Sequence, residues 1–199
     1  VRIMYPMVSC IEELREAHDI LEDVQAELSR EGVAFAQDIP VGAMIEVPSA
    51  ALCAQELALH VDFFSVGTND LVQYTMAADR GNDAVAYLYQ PMNRAVLRLM
   101  RMSVAAAKER GLPISVCGES AADPIVGTYW AAIGVDTLSM SATYIGVMSK
   151  VLSCLTRSDL DEYAKVPDTL APDATAKEIF EACRVWMVKR LPEIADLLG

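Results

Sequence analysis

The chain has 199 residues, of which 53% are hydrophobic and 22% charged, enough for one globular domain with a substantial core. Its formal net charge of −12 argues against a nucleic-acid partner, whose phosphates are met first by lysines and arginines, and an anionic substrate would need a local cationic device. Five cysteines (Cys10, Cys53, Cys117, Cys154, Cys183) without a CxxC pair, beside two histidines, exclude a zinc motif and a disulfide scaffold and suit a reducing cytosol, and no apolar run nears the ~20 residues of a membrane span.

The opening Val1-Arg2-Ile3-Met4-Tyr5-Pro6 lacks the basic and apolar regions of a signal peptide and runs directly into a predicted strand over 3–8. A start of this kind, without methionine, suggests a piece of a longer protein. Residues 11–31, rich in Glu and Leu at helical spacing, predict a helix opened by Ser9 and closed by Gly32. A second strand is expected over 42–47, a helix over 49–60 and a third strand over 63–67. The next helix spans 93–110 and stops at Gly111-Leu112-Pro113, before a fourth strand over 114–117. Asp123-Pro124 opens a short helix to 133, with Gly134 as its stop, and the fifth strand covers 137–140. Beyond about Thr156 the pattern is helical and more polar. Pro167 and Pro172 mark a loop before a last amphipathic helix over 174–189.

Short apolar strands alternating with longer helices predict parallel βα units, either doubly wound or closed as a barrel. The polar residues favour the barrel. Glu46, Thr68-Asn69-Asp70, Cys117-Gly118-Glu119, Ser139 and Ser141 all fall at strand carboxyl ends, where barrel enzymes place their chemistry. A complete (β/α)₈ barrel takes about 250 residues, and five strands cannot close one. The expected fold is therefore α/β, a parallel (β/α)₈ TIM barrel truncated to about five of its eight strands. Residues 1–155 are expected to form the partial barrel, and 156–199 a helical extension packing on it.

Glu46 and Asp70, each set in an apolar strand end, can converge on a hard cation such as Mg²⁺, which takes one or two carboxylates and completes its octahedron with substrate oxygens and water. The alternative is that Asp70 caps the helix after it and Glu46 pairs with an arginine. Cys117 sits before Gly118 at a strand end, where a thiol can exchange a proton with a substrate, or it is simply a buried inert cysteine. Arg80, in the polar loop Asp79-Arg80-Gly81-Asn82-Asp83, can clamp a phosphate or carboxylate, or form a surface ion pair with Asp79 or Asp83. No Walker loop, GxGxxG turn or serine-histidine-acid pattern is present, and His18 and His60 lie on predicted helices rather than strand ends.

Three segments taken in order, Gly42-Ala43-Met44-Ile45-Glu46-Val47-Pro48-Ser49-Ala50, Asp62-Phe63-Phe64-Ser65-Val66-Gly67-Thr68-Asn69-Asp70-Leu71 and Val116-Cys117-Gly118-Glu119, resemble the phosphoenolpyruvate-utilising enzymes. Ala78-Asp79-Arg80-Gly81-Asn82-Asp83, Leu88-Tyr89-Gln90-Pro91-Met92 and Ser139-Met140-Ser141-Ala142 are similar to the Enzyme I branch rather than to the dikinases. The resemblance covers 1–155. It implies the phosphoenolpyruvate-binding barrel of a cytoplasmic phosphotransferase-system enzyme, a homodimer without membrane insertion. Such an enzyme passes phosphate from phosphoenolpyruvate to a histidine in a separate N-terminal domain and on to a phosphocarrier protein, releasing pyruvate. By the same resemblance Glu46 and Asp70 hold Mg²⁺, Asn69 and Arg80 contact the phosphate, and Cys117 is the acid that protonates the enolate. The histidine domain and the arginines of the early barrel strands lie outside this chain, so the fragment alone is not expected to turn over. Val47 stands where the family is expected to carry threonine. A dikinase or phosphoenolpyruvate synthase relative, a Mg²⁺ lyase or aldolase of related barrel design, and a non-catalytic dimerisation module are the competing readings.

Overall fold

The computed structural model describes residues 1–198. Five parallel strands form one sheet in chain order: β1 Ile3–Tyr5, β2 Val41–Ile45, β3 Phe63–Gly67, β4 Ile114–Cys117 and β5 Thr137–Leu138. Parallel neighbours in chain order need right-handed crossovers, and these all land on one side of the sheet. The crossovers carry α1 Ile11–Glu31, α2 Pro48–Leu52, α3 Ala54–Leu57, α4 Thr68–Met76, α5 Arg94–Arg110 and α6 Pro124–Ala132.

Strand side chains alternate, so each strand feeds two surfaces. Ala43, Ile45, Phe64, Val66, Ile114 and Val116 are at most 1% exposed and belong to one continuous core with Leu57, Leu71, Met100 and Trp130 of the helices. Burying each of the larger side chains contributes roughly 1.5–3 kcal/mol. Their alternates are Gly42, Met44 and Glu46 on β2 and just beyond it, Phe63, Ser65 and Gly67 on β3, and Ser115 and Cys117 on β4. These face the other way, and among them Phe63, Ser65, Ser115 and Cys117 line a hollow of about 410 Å³ with Thr137 and Ser139.

Among the described residues the sheet is open: β1 pairs only with β2, and β5 only with β4. Both edge strands are shorter than the sequence predicts. After Tyr5, Pro6 offers no N–H to a ladder and Met7 takes a left-handed φ of 55°, so the chain leaves the sheet. The predicted helix over 49–60 is two short helices broken at Cys53, whose backbone is not helical (φ −102°, ψ 23°). Two helices carry no predicted range. One is α4, which begins at the residue after β3 ends, so that the polar motif Thr68-Asn69-Asp70 is its first turn. The other is α7 Ala142–Ser153, after β5.

The remainder holds α8 Arg157–Tyr163 and α9 Ala176–Arg190, each opened by a capping box, Thr156 with Asp159 and Thr175 with Glu178. Both pack on α6. Tyr129 lies edge-on to Trp130 and Tyr163 at 5.5 and 6.1 Å between ring centres, and Trp186 of α9 tilts over Tyr163 at 5.0 Å. Arg101 of α5 fastens this region to the rest. It donates to the Tyr129 hydroxyl, to Ala164 O and to Asp168, each at 2.9 Å. Of the expected extension 156–199, residue 199 lies outside the described residues. Among the described residues no helix is long and apolar enough to cross a membrane.

Candidate active site

The strand register brings the polar motifs to one level at the carboxyl edge. Ile45 pairs with Val66 and Gly67 with Cys117, so Glu46, Gly67 and Cys117 form a row across β2, β3 and β4. Glu46 leans over the end of β3. A Cβ at Gly67 would stand 2.6 Å from Glu46 Oε2 and 3.1 Å from Met44 Sδ, so only glycine leaves room for the carboxylate. Glu46 is buried (4% exposed), and its Oε1 accepts the Met7 N–H at 2.7 Å. The left-handed turn at Met7 thus aims a backbone donor from the end of β1 at a residue of β2.

The Glu46 carboxyl is pushed above its ordinary range, first by burial and then by the charge of Asp70 alongside, against the pull of the Met7 hydrogen bond. Asp70 lies in the first turn of α4, where the helix dipole favours a negative charge. Neither bland alternative is realised among the described residues. Glu46 is in no ion pair with an arginine, and no side chain caps α4. Two neighbouring carboxylates, one of them buried and with the Met7 N–H as its one backbone donor among the described residues, make a donor set that suits a hard divalent cation. No cluster of three or more His, Cys, Asp or Glu occurs among the described residues, so the remaining ligands of any metal here would be substrate oxygens and water.

Asn69, beside Asp70, faces the loop after β4. Its Oδ1 accepts the Glu119 N–H at 3.1 Å and the Tyr89 hydroxyl at 3.3 Å. Gly118 makes this approach possible: its φ is 112°, and a Cβ there would lie 2.5 Å from Thr68 Oγ1 and 2.9 Å from Asn69 Oδ1. Below this contact runs a buried polar relay. Trp130 Nε1 donates to Ser120 Oγ (3.1 Å), Ser120 Oγ to Thr68 Oγ1 (2.8 Å) and Thr68 Oγ1 to Cys117 O (3.0 Å). The relay locks the loops after β3 and β4 together. None of these residues was singled out from sequence as a supporting group, although two hydroxyls flanking apolar strand ends are the visible sign of it.

Cys117 is half-buried and points into the hollow. Its thiol donates to Val66 O at 3.6 Å and accepts from Ser65 Oγ at 3.7 Å. Arg80 is exposed and enters no ion pair with Asp79 or Asp83 among the described residues. Asp79 instead accepts the Gly81 N–H at 2.8 Å. The Arg80 charge is felt by Tyr89, whose phenol burial pushes up and Arg80 pulls down. The structure thus gathers Glu46 with Asp70, Asn69 with Glu119 and Tyr89, and Arg80 beside Tyr89. Cys117 stands level with Glu46 but opens to the hollow, while Asn69 lines a separate cavity of about 260 Å³ with Tyr89, Gln90, Glu119 and Phe180 of α9.

A family model described as PEP-utilising enzyme, PEP-binding domain matches residues 1–156. Phosphoenolpyruvate-protein phosphotransferases of Geobacillus stearothermophilus and Bacillus sp. (strain S) are each 46% identical over 195 residues, covering 98% of this chain and 32% of theirs. That of Listeria monocytogenes serovar 1/2a is 43% identical over 181 residues, 91% of this chain and 31% of its own. The chain therefore spans about a third of the length of the curated relatives it matches. A citrate lyase of Burkholderia xenovorans LB400 superposes with a TM-score of 0.55 at 15% identity, over 99% of this chain and 67% of the lyase, a likeness of fold alone. With the match running through β1 to β5 and every strand-end motif, the chain belongs to the PEP-utilising enzymes, as their PEP-binding domain.

Proposed function

We propose that the intact protein carrying this chain is a phosphoenolpyruvate-protein phosphotransferase. It takes the phosphoryl group of phosphoenolpyruvate onto a histidine outside this chain, passes it to a phosphocarrier protein and releases pyruvate. The observation that carries this reading is the row of Glu46, Gly67 and Cys117 at the carboxyl edge, with Asp70 against Glu46. On this reading residues 1–155 are the site-bearing partial barrel and 156–199 a helical extension. The protein works in the cytoplasm as a homodimer.

Glu46 and Asp70 would hold Mg²⁺, which when bound supplies positive charge against the phosphoryl and enolate oxygens. Glu46 is set for this by the Met7 N–H, which fixes one oxygen, with Asp70 beside the carboxyl. Asn69 and Arg80 bind phosphoryl oxygens, Asn69 through its amide N–H and Arg80 through its guanidinium. They provide the local positive character that a chain of net charge −12 otherwise lacks. When the bond from phosphorus to the enol oxygen breaks and the bond to the histidine nitrogen forms, the leaving group is the enolate of pyruvate. Cys117 then delivers its thiol proton to the methylene carbon, yielding pyruvate and a thiolate that solvent reprotonates. Ser65 Oγ, donating to that sulfur, supports the thiolate in the interval.

The test is calorimetric titration of the intact protein with phosphoenolpyruvate, with and without Mg²⁺, beside its Glu46→Ala variant. Binding that needs the metal and is lost in the variant supports the assignment. Folded variant protein that binds phosphoenolpyruvate with unchanged affinity and metal dependence overturns it.

A further inference from the structure

Tyr89 stands between two of the proposed phosphate ligands, yet the chemistry above makes no use of it. It lies on the loop between α4 and α5, half-buried, on the wall of the cavity that Asn69 and Glu119 also line. Its hydroxyl donates to Asn69 O at 3.2 Å and to Asn69 Oδ1 at 3.3 Å. The same Oδ1 accepts the Glu119 N–H at 3.1 Å. A backbone N–H can only donate, so the carboxamide atom facing Glu119 has to be the oxygen. The phenol's single hydrogen, shared with Asn69 O, approaches the second lone pair of that oxygen. The amide nitrogen is then turned away from Tyr89 and Glu119, with no acceptor for its hydrogens among the described residues. Burial, reinforced by the charges of Glu119 and Asp70 and opposed by Arg80, raises the phenol above its ordinary range and keeps it protonated, hence a donor.

We propose that Tyr89 is a positioning residue of the phosphate site, holding the Asn69 carboxamide so that its nitrogen, not its oxygen, faces the phosphoryl group. The inference rests on the reading of Asn69 as a phosphate ligand. A carboxamide held by the Glu119 N–H alone retains its hinge but loses the second restraint, and each turn that presents its oxygen to an anion is repulsive. Loss of one ordinary hydrogen bond, about 1 kcal/mol, corresponds to about fivefold in affinity.

The experiment is a double-mutant cycle in the intact protein, measuring phosphoenolpyruvate affinity in the presence of Mg²⁺ and kcat/KM for Tyr89→Phe, Asn69→Ala and the pair. Tyr89→Phe keeps the ring and removes the hydroxyl, and with it both the donor to Asn69 and the contact with Arg80. It is expected to weaken binding about fivefold, Asn69→Ala more than tenfold, and the pair no more than Asn69→Ala alone. Asn69→Asp keeps an acceptor for both donors while replacing the amide nitrogen, and stands in for the alanine variant should that fail to fold. A Tyr89→Phe protein of wild-type affinity beside a weakened Asn69 variant would overturn the positioning role and leave the phosphate site standing. An equal loss on adding Tyr89→Phe to the Asn69 variant would also overturn it, since the phenol would then act independently. An Asn69 variant of wild-type affinity removes the phosphate role of Asn69, and that of Tyr89 with it.

Discussion

Carboxylates occupy both ends of the sheet, and they are treated in opposite ways. At the amino ends, Asp62 Oδ2 accepts the Val41 N–H at 2.8 Å, where β2 begins, and Asp136 Oδ2 accepts the Ile114 N–H at 2.9 Å, where β4 begins. Asp136 is also paired with Lys108 of α5. At the carboxyl ends, Glu46 receives one backbone donor, and its next neighbour is a second carboxylate, Asp70. The same chemical group is drawn below its usual range at one end, where Lys108 and the Ile114 N–H outweigh the effect of burial on Asp136, and above it at the other. A carboxylate matched to donors closes a strand start and stabilises the fold. One set against another is stable only when something positive arrives, and that distinguishes a site from a fastening.

The comparison is most sharply broken by Gly67→Ala. The added Cβ would stand 2.6 Å from Glu46 Oε2, 3.0 Å from Glu46 Cβ and 3.1 Å from Met44 Sδ, against a buried side chain. Overpacking of this kind costs about 1–3 kcal/mol, and the relief available is to push Glu46 out of its row. We expect phosphoenolpyruvate binding by the intact protein to fall more than tenfold in the presence of Mg²⁺, read by calorimetry, together with a lowered melting temperature. The amino end answers differently. Asp136→Ala orphans the Ile114 N–H and the Lys108 ammonium. It should cost about 1–2 kcal/mol in urea denaturation while phosphoenolpyruvate affinity stays at the wild-type value.

How the two ends read in sequence differs as well. β3 and β4 begin and end where the alternation of apolar and small residues predicts, over 63–67 and 114–117, and α1 runs over the predicted 11–31. Central strands and a long amphipathic helix carry their own periodic signal. Its N-cap is Cys10 rather than the predicted Ser9, which folds back with both its N–H and hydroxyl on Glu13. The edge strands shrank because a partner on one side leaves their length to local chain geometry, at Pro6 and Met7 for β1. α7 carries no periodic signal, because only Met148 and Val151 of its twelve residues are buried and they make no apolar stripe. Among the site residues, Glu46, Asn69, Asp70, Arg80 and Cys117 stood out as polar groups at strand ends and in the loop after them. Tyr89, the Met7 N–H and the Thr68–Ser120–Trp130 relay did not, because their roles come from chain segments 20 to 52 residues apart meeting at one edge.

A smaller effect separates the ends by pH. The folded-state pKa of Asp136 lies below the ordinary carboxylate value, so its ionised form is favoured by folding. The stability this contributes is complete above the unfolded pKa, near 4, and is lost as pH falls through the folded value. Thermal melts of the wild-type chain between pH 7 and pH 3 should therefore show a steeper decline than those of Asp136→Ala. Equal slopes would mean that Lys108 and the Ile114 N–H do not hold the charge.

The smallest expected change in stability belongs to the residue with the largest expected role in binding. Glu46→Gln keeps an oxygen to accept the Met7 N–H and nearly the same volume beside Gly67, while it removes the charge that burial and Asp70 both disfavour. No protein cation pairs with that charge among the described residues, so its loss leaves no partner stranded. The variant should melt within about 0.5 kcal/mol of the wild type at pH 7, or slightly above it, and lose metal-dependent binding of phosphoenolpyruvate. Destabilisation comparable to that of Asp136→Ala would mean that Glu46 is a fastening like its counterparts at the amino ends, and that the two ends of the sheet are not different in kind.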